Sequence, residues 1–257
     1  EADVSFLRQA PARPGARLSE LTRPDLPAPP RYEPRALERA SGIEHMVLEP
    51  RWVSDPLPVS SEAQAGSWLV FKDPMGIAEP LVERLRARGH RVIVLESDYG
   101  FSRVDKDRYK MPVGPDDEAY RTLLRILMDE GASPRRVVHL WNANASDLFW
   151  FETDRIAMQI ASGFASLTSF WRAVSDLRLP RPIDVSVFTM RRASVEGEPL
   201  PHPTKALAAG PTKVAPRELE GVTARMVDLE APPAESGSAG ARRRRRHIEG
   251  LSELVEA

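Results

Sequence analysis

The chain contains no cysteine in 257 residues. Disulfides, zinc thiolate centres and cysteine nucleophiles are therefore excluded. Its five histidines show no metal-ligand spacing. No apolar run approaches the roughly 20 residues that a membrane helix needs, and no signal peptide opens the sequence. Charge of one sign is also lacking. The formal net charge is -1, which argues against a nucleic-acid or bulk membrane-surface partner. Lysine is scarce, at 5 against 31 arginines. In an Ala/Pro-rich composition we read that bias as a GC-rich bacterial genome, not as a binding signal. The default location is cytoplasmic. No G-x-S-x-G turn or phosphate-binding P-loop occurs.

The hydrophobic content, 42%, allows a real core in one large domain or in one domain with an extension. Residues 1–45 hold seven prolines (Pro11, Pro14, Pro24, Pro27, Pro29, Pro30 and Pro34) and little periodicity. Proline removes backbone donors and disfavours helix in the residue before it. This stretch reads as an extended interdomain linker, with a short helix possible at Ala36–Ser41. The domain proper is expected at 46–257. The chain starts at Glu1 and closes in a helical pattern, as expected for a piece of a longer polypeptide.

Within 46–257, residues 46–54 read as an edge strand that tolerates Pro50. Short runs rich in Val, Ile, Leu or Phe predict strands at 68–72, 91–96, 136–141, 184–190 and 223–228. Helices are expected at 76–88, 116–130, 153–177, 203–217 and 241–256. This alternation predicts an α/β fold, a truncated Rossmann-like parallel sheet with helices on both faces. Residues 97–115 lack apolar periodicity and stand where a further helix and strand belong, so the half-sheet reads as trimmed. Residues 231–240 read as a flexible loop.

The stretch SWLVFKDPMGIAEPLVERLRARGHRVIVLE, 67–96, has the strand–turn–helix–strand order that opens a dinucleotide-binding unit. A working turn of the T-G-x-x-x-G-x-G form needs three glycines for a tight bend, close pyrophosphate approach and helix–strand packing. In that register only Gly76 survives. Lys72 replaces the first glycine and Ala78 the third. Asp73 brings a carboxylate where a phosphate would sit, and Pro74 removes an amide. Gly76 is then ascribed to helix–strand packing. Glu96 lies at the distance of a ribose-binding acid, or is simply a solvated or capping Glu.

A short-chain reductase also needs a Tyr proton donor, a Lys four residues later and a Ser upstream that orients the carbonyl. In 201–219 the Lys would be Lys205. The Tyr position is Pro201, which has no hydroxyl. Thr189 falls near the Ser position, where a plain structural role competes, and His202 is one residue off register.

Taken together, LEPRWVSDPLP (48–58), WLVFKDPMG (68–76), VHLW (138–141) and GPTKVAPRE (210–218) resemble the structural subdomain of a ketoreductase from a type I modular polyketide synthase. The resemblance covers roughly 46–257. It implies a first half that binds no NADPH and braces a catalytic half elsewhere in the parent, which carries the glycines, Ser, Tyr and Lys. The degenerate positions Lys72, Gly76, Ala78, Thr189, Pro201 and Lys205 fit that implication, with no catalytic, cofactor or metal residue expected here. Implied partners are neighbouring domains of the same synthase, whether a ketoreductase catalytic half, an enoylreductase or a C-methyltransferase region, and indirectly an acyl carrier protein. The alternative is a divergent NADPH-dependent short-chain ketoreductase acting on carrier-bound β-ketoacyl intermediates through Lys205 and Thr189. A freestanding protein-binding module is a third reading.

Two further features carry competing readings. Arg242–Arg246 is either a solvated helix face, with Ile248, Leu251, Leu254 and Val255 as the apolar stripe, or a contact for a phosphate, an acyl carrier, nucleic acid or, most sharply, an acidic neighbouring domain of the same synthase. The aromatics Phe149, Trp150, Phe151, Phe164, Phe170 and Trp171 read as core or as a docking face. His139 reads as a satisfied core residue.

Overall fold

The computed structural model describes residues 66–144, 152–194, 202–231 and 237–256. The linker, the strand expected at 46–54, Phe149–Phe151 and Pro201 lie outside the described residues.

In chain order the elements are β1 (Ser67–Phe71), α1 (Ala78–Ala87), β2 (Arg91–Asp98), β3 (Ser102–Asp105) and β4 (Arg108–Pro112). Next come α2 (Asp117–Asp129), β5 (Pro134–Asn142), α3 (Glu152–Ile160), a π-helical turn (Ala161–Ala165) and α4 (Ser166–Asp176). The chain continues through β6 (Ile183–Met190), a 3-10 turn (Pro203–Ala208), α5 (Ala209–Glu218), β7 (Val222–Leu229) and α6 (Gly237–Glu256).

One seven-stranded sheet has the order β3-β4-β2-β1-β5-β6-β7. Every pairing is parallel except that of β3 with β4. Without β3, the strands follow the 3-2-1-4-5-6 order of a doubly wound dinucleotide-binding sheet. The five expected strands are all present. Residues 97–115 require a correction. The strand expected to be lost is there as β4, parallel to β2, and only the crossover helix has given way to the short β3. Its sequence signal is alternation: Tyr109 and Met111 are buried between exposed or half-buried neighbours, the period of a strand with one covered face. Likewise α6 starts at Gly237, so the expected loop at 231–240 extends no further than residue 236.

Alternation along the central strands builds two cores. Leu69, Phe71, Val137, Trp141, Val185 and Val187 face α2, α4 and α5. Trp68, Val70, Val138, Leu140, Phe188 and Met190 face α1 and α6. Strands covered on both faces need continuous apolar runs, and that is why these were readable. The helix ends are equally local. At the end of α1, Gly89 takes φ +83°. Its amide donates to the Arg86 carbonyl and that of His90 to Leu85, a Schellman closure that favours glycine.

Phe71 is the hub of the first core. Its ring lies 4.6 Å from His139, 5.0 Å from Trp141 and 6.0 Å from Phe170, centre to centre. Phe170 and Trp171 are thus core, as one of the two readings held. The His139 Nε2 lies 3.0 Å from the Ser166 hydroxyl, which itself donates to the Ser162 carbonyl at 2.7 Å. Ser166 therefore accepts, and Nε2 carries the proton. Burial pushes the His139 imidazole down to about 3.

That shift has a direction in pH. Below its ordinary value of 6.5 the unfolded chain takes up a proton that folded His139 refuses. Stability should fall as pH drops from 6.5 toward 3, by up to about 1.4 kcal/mol per pH unit. Chemical denaturation across that range checks this: His139→Gln should flatten the slope, and an unchanged slope would assign it elsewhere.

Candidate functional site

In a doubly wound sheet, ligands bind at the carboxyl ends of the strands where the order reverses. Here that point lies between β1 and β5, under the turn Lys72–Ile77. The turn is internally filled. The Asp73 carboxylate is buried and accepts from the amides of Met75 (2.7 Å), Ile77 (3.0 Å) and Ala78 (2.8 Å). These amides form the entry to α1, the position at which a helix N-terminus holds a phosphate. An internal carboxylate occupies the donors instead. Burial is the largest influence on Asp73 and raises its pKa, with the three amide bonds opposing it.

Gly76 adopts φ +95°, and an added Cβ would find nothing nearer than a Glu79 carboxylate oxygen at 3.8 Å. This corrects the packing explanation: Gly76 is required by backbone conformation, since no close helix–strand contact presses on it. Lys72 bridges Glu79 at 3.0 Å and Glu96 at 3.7 Å. Its pKa is raised, chiefly by the hydrogen bond to Glu79. Glu96 is therefore an ion-pair partner of the residue standing in the first glycine's place. Two carboxylates on the Lys72 ammonium and a third, Asp73, on the turn's amides make this an unfavourable place for a diphosphate.

The positions tested for catalysis converge on the ends of β5 and β6, but their polar atoms are engaged. Thr189 is buried and donates to Asp228 at 2.6 Å. Asp228 also accepts from the amides of Arg192 and Ala193, at 2.9–3.1 Å, and so ties down the chain leaving β6. Lys205 is fully buried. Its ammonium donates to the carbonyls of Asn144 and Met190, the latter at 3.0 Å, joining the chain after β5 to the end of β6. His202 is buried, and its Nδ1 accepts from Arg155 at 2.9 Å and Gln159 at 3.3 Å.

Sequence reasoning missed the group that organises this end of the sheet. Asn142, the last residue of β5, accepts from Ser162 at 2.5 Å and donates to the Gln159 carbonyl at 3.4 Å. A Cβ on Gly163 would come within 2.0 Å of the Asn142 amide nitrogen. The π-helical turn and its glycine thus fit around Asn142. A polar residue ending an apolar strand was the available signal. Asp228 had none, since acids at strand ends are common. Among the described residues, no cluster of His, Cys, Asp and Glu is placed to hold a metal ion, and no helix is long and apolar enough to cross a membrane.

Residues 66–238 match the family described as "Beta-ketoacyl synthase-like, N-terminal". The match covers well over half of the chain, and the chain belongs to that family. A comparison with curated proteins gives no significant match. Among solved structures, the chain is similar to a multidomain structure holding the adenylation, ketoreductase and pseudo-Asub parts of a keto acid-selecting NRPS module (TM-score 0.64, 19% identity). It is also similar to an N-terminal ketoreductase from the macrolactin assembly line (TM-score 0.57, 18% identity). A third similarity is to a short-chain dehydrogenase/reductase from Serratia marcescens BCRC 10948 (TM-score 0.51, 13% identity). These alignments cover 79%, 76% and 74% of this chain and 16%, 37% and 87% of the other. The chain thus spans well under two thirds of the first two. At these identities the likeness is one of fold: a Rossmann-like sheet shared with short-chain dehydrogenases and ketoreductases. Family and fold agree with the ketoreductase-like resemblance read from the sequence.

The Asp73 arrangement makes a direct prediction. Asp73→Ala should leave the turn's donors without an acceptor and cost about 2–4 kcal/mol of stability, read by thermal or urea denaturation. Pyrophosphate should restore part of that loss in the variant and none in the wild type. Equal stabilisation of both proteins would mean that Asp73 does not occupy the anion position.

Proposed function

We propose that this unit is a non-catalytic scaffold in a type I polyketide synthase, bracing a neighbouring β-keto-processing domain. The observation that carries the reading is the Asp73 carboxylate seated on the amides of the dinucleotide turn. The engagement of Thr189 with Asp228 and of Lys205 with backbone carbonyls supports it. A reductase needs its hydroxyl aimed at a substrate carbonyl, and here that hydroxyl is spent inside the fold. NADPH would bind a catalytic half elsewhere in the parent. The acyl carrier protein would meet this unit only indirectly.

A scaffold needs a surface to brace with. On the π-helical turn, Phe164 is 42% exposed, and Leu207 and Val214 are 47% and 44% exposed. Leu207, Gly210 and Val214 recur at helical spacing. The Phe164 ring lies 3.9 Å from a Cβ built on Gly210, so these side chains share one outward face of α5 and its neighbour. Large apolar side chains gathered on a surface mark contact sites. This splits the aromatic series of the long helix, with Phe170 and Trp171 buried and Phe164 outward.

Two measurements test the reading. NADPH added to the chain should leave cofactor fluorescence unchanged through the micromolar range, and saturable micromolar binding would overturn the non-catalytic assignment. Phe164→Glu with Leu207→Glu should leave the melting temperature nearly unchanged. It should release the neighbouring domain of the same reading frame in co-purification. Undiminished association would remove this face from the interface.

A further inference from the structure

The most unusual surface lies on the opposite face of the sheet. Arg242–Arg246 are consecutive in α6 and all exposed, as is Ala241. Five consecutive residues circle a helix of about 3.6 residues per turn. Their common exposure puts positive charge on every side of this turn. The helix is anchored further on, where Leu251 is buried and Ile248 packs against the second core. Arg245 pairs with Glu249 at 3.1 Å, yet residues 237–248 contain no acid. Five like charges within about one and a half turns of helix repel one another.

Directly beside this turn, a cavity of about 460 Å³ opens between α6 and β7. Phe188, Val227, Leu229 and Leu251 form apolar walls, and Arg225 and Arg246 stand on its lining. Asp228 also lines it, with its carboxylate engaged by Thr189 and two backbone amides. Glu230 is the other acid there, and its carbonyl lies 3.2 Å from the His247 Nε2. A cationic helix turn next to an apolar hole is complementary to an acidic segment that carries one large apolar side chain.

We infer that α6 and β7 form a docking site for an acidic protein segment, whose carboxylates face Arg242–Arg246 and whose apolar residue fills the cavity beside Leu251. The charge of the whole chain, -1, favours this occupant over nucleic acid or an anionic membrane. Either of those would press a broad phosphate array against a body with no net positive charge. The site is separate from the Phe164 face and does not rest on the scaffold reading.

Gly250 supplies the control. It lines the cavity, and an added Cβ there meets nothing within 4 Å, so Gly250→Phe can fill the hole from within a helix. The probe is a fluorescein-labelled Glu/Asp peptide with a central Leu-Phe pair, titrated against the whole chain by anisotropy. Binding should weaken with salt. Replacing Arg242–Arg246 by Gln should lower affinity about tenfold or more, and so should Gly250→Phe, at unchanged melting temperature. A peptide with Ala in place of Leu-Phe should bind more weakly and ignore Gly250→Phe. Absence of binding, or binding indifferent to either variant, would overturn the site. Tighter binding of duplex DNA or phosphatidylserine vesicles at equal ionic strength would overturn the acidic-segment assignment.

Discussion

The contact between the Asp73 carboxylate and the three amides entering α1 governs this structure. A helix N-terminus presents donors that must find an acceptor. In a dinucleotide-binding fold the cofactor meets that demand, so the turn is incomplete until the ligand arrives. Here the chain completes it alone. Once the amides are satisfied internally, the neighbouring glycines lose their purpose. Lys72 can replace the first and bridge Glu79 and Glu96, and Ala78 can replace the third and pack in the core. Gly76 persists because its backbone lies at φ +95°, a region costly to other residues.

The same logic recurs at the far end of the parallel sheet. Asp228 gathers Thr189 and two backbone amides. Lys205 gathers carbonyls after β5 and in β6. In each case a polar side chain reaching the carboxyl ends of the strands, where ligands meet a fold of this kind, satisfies backbone groups of the chain itself. Buried polar groups demand partners, and these partners are the loops themselves. The strand ends are thereby fixed by the chain's own groups.

Much of this was legible from the chain, for identifiable reasons. Strands buried on both faces must be apolar throughout, so β1, β2, β5 and β6 announced themselves. The end of the helix expected at 76–88 was equally clear, because capping depends on local residues. The β3–β4 hairpin was not, since β4 hides only Tyr109 and Met111 among charged neighbours. The Asp73 role was half visible: a carboxylate at a phosphate position can be read from the register, but that it takes the amides cannot. The Asn142–Ser162–Gly163 fit was out of reach, because it joins residues 20 or so apart through a π-helical turn that no sequence period reveals.

The central claim is that the dinucleotide turn is already filled by its own side chain. It is tested most directly by following the backbone amide NMR signals of Met75, Ile77 and Ala78 while NADPH is added. Signals that stay in place in the wild type and move only in Asp73→Ala would agree with this account. Saturable shifts of these three amides in the wild type would contradict it.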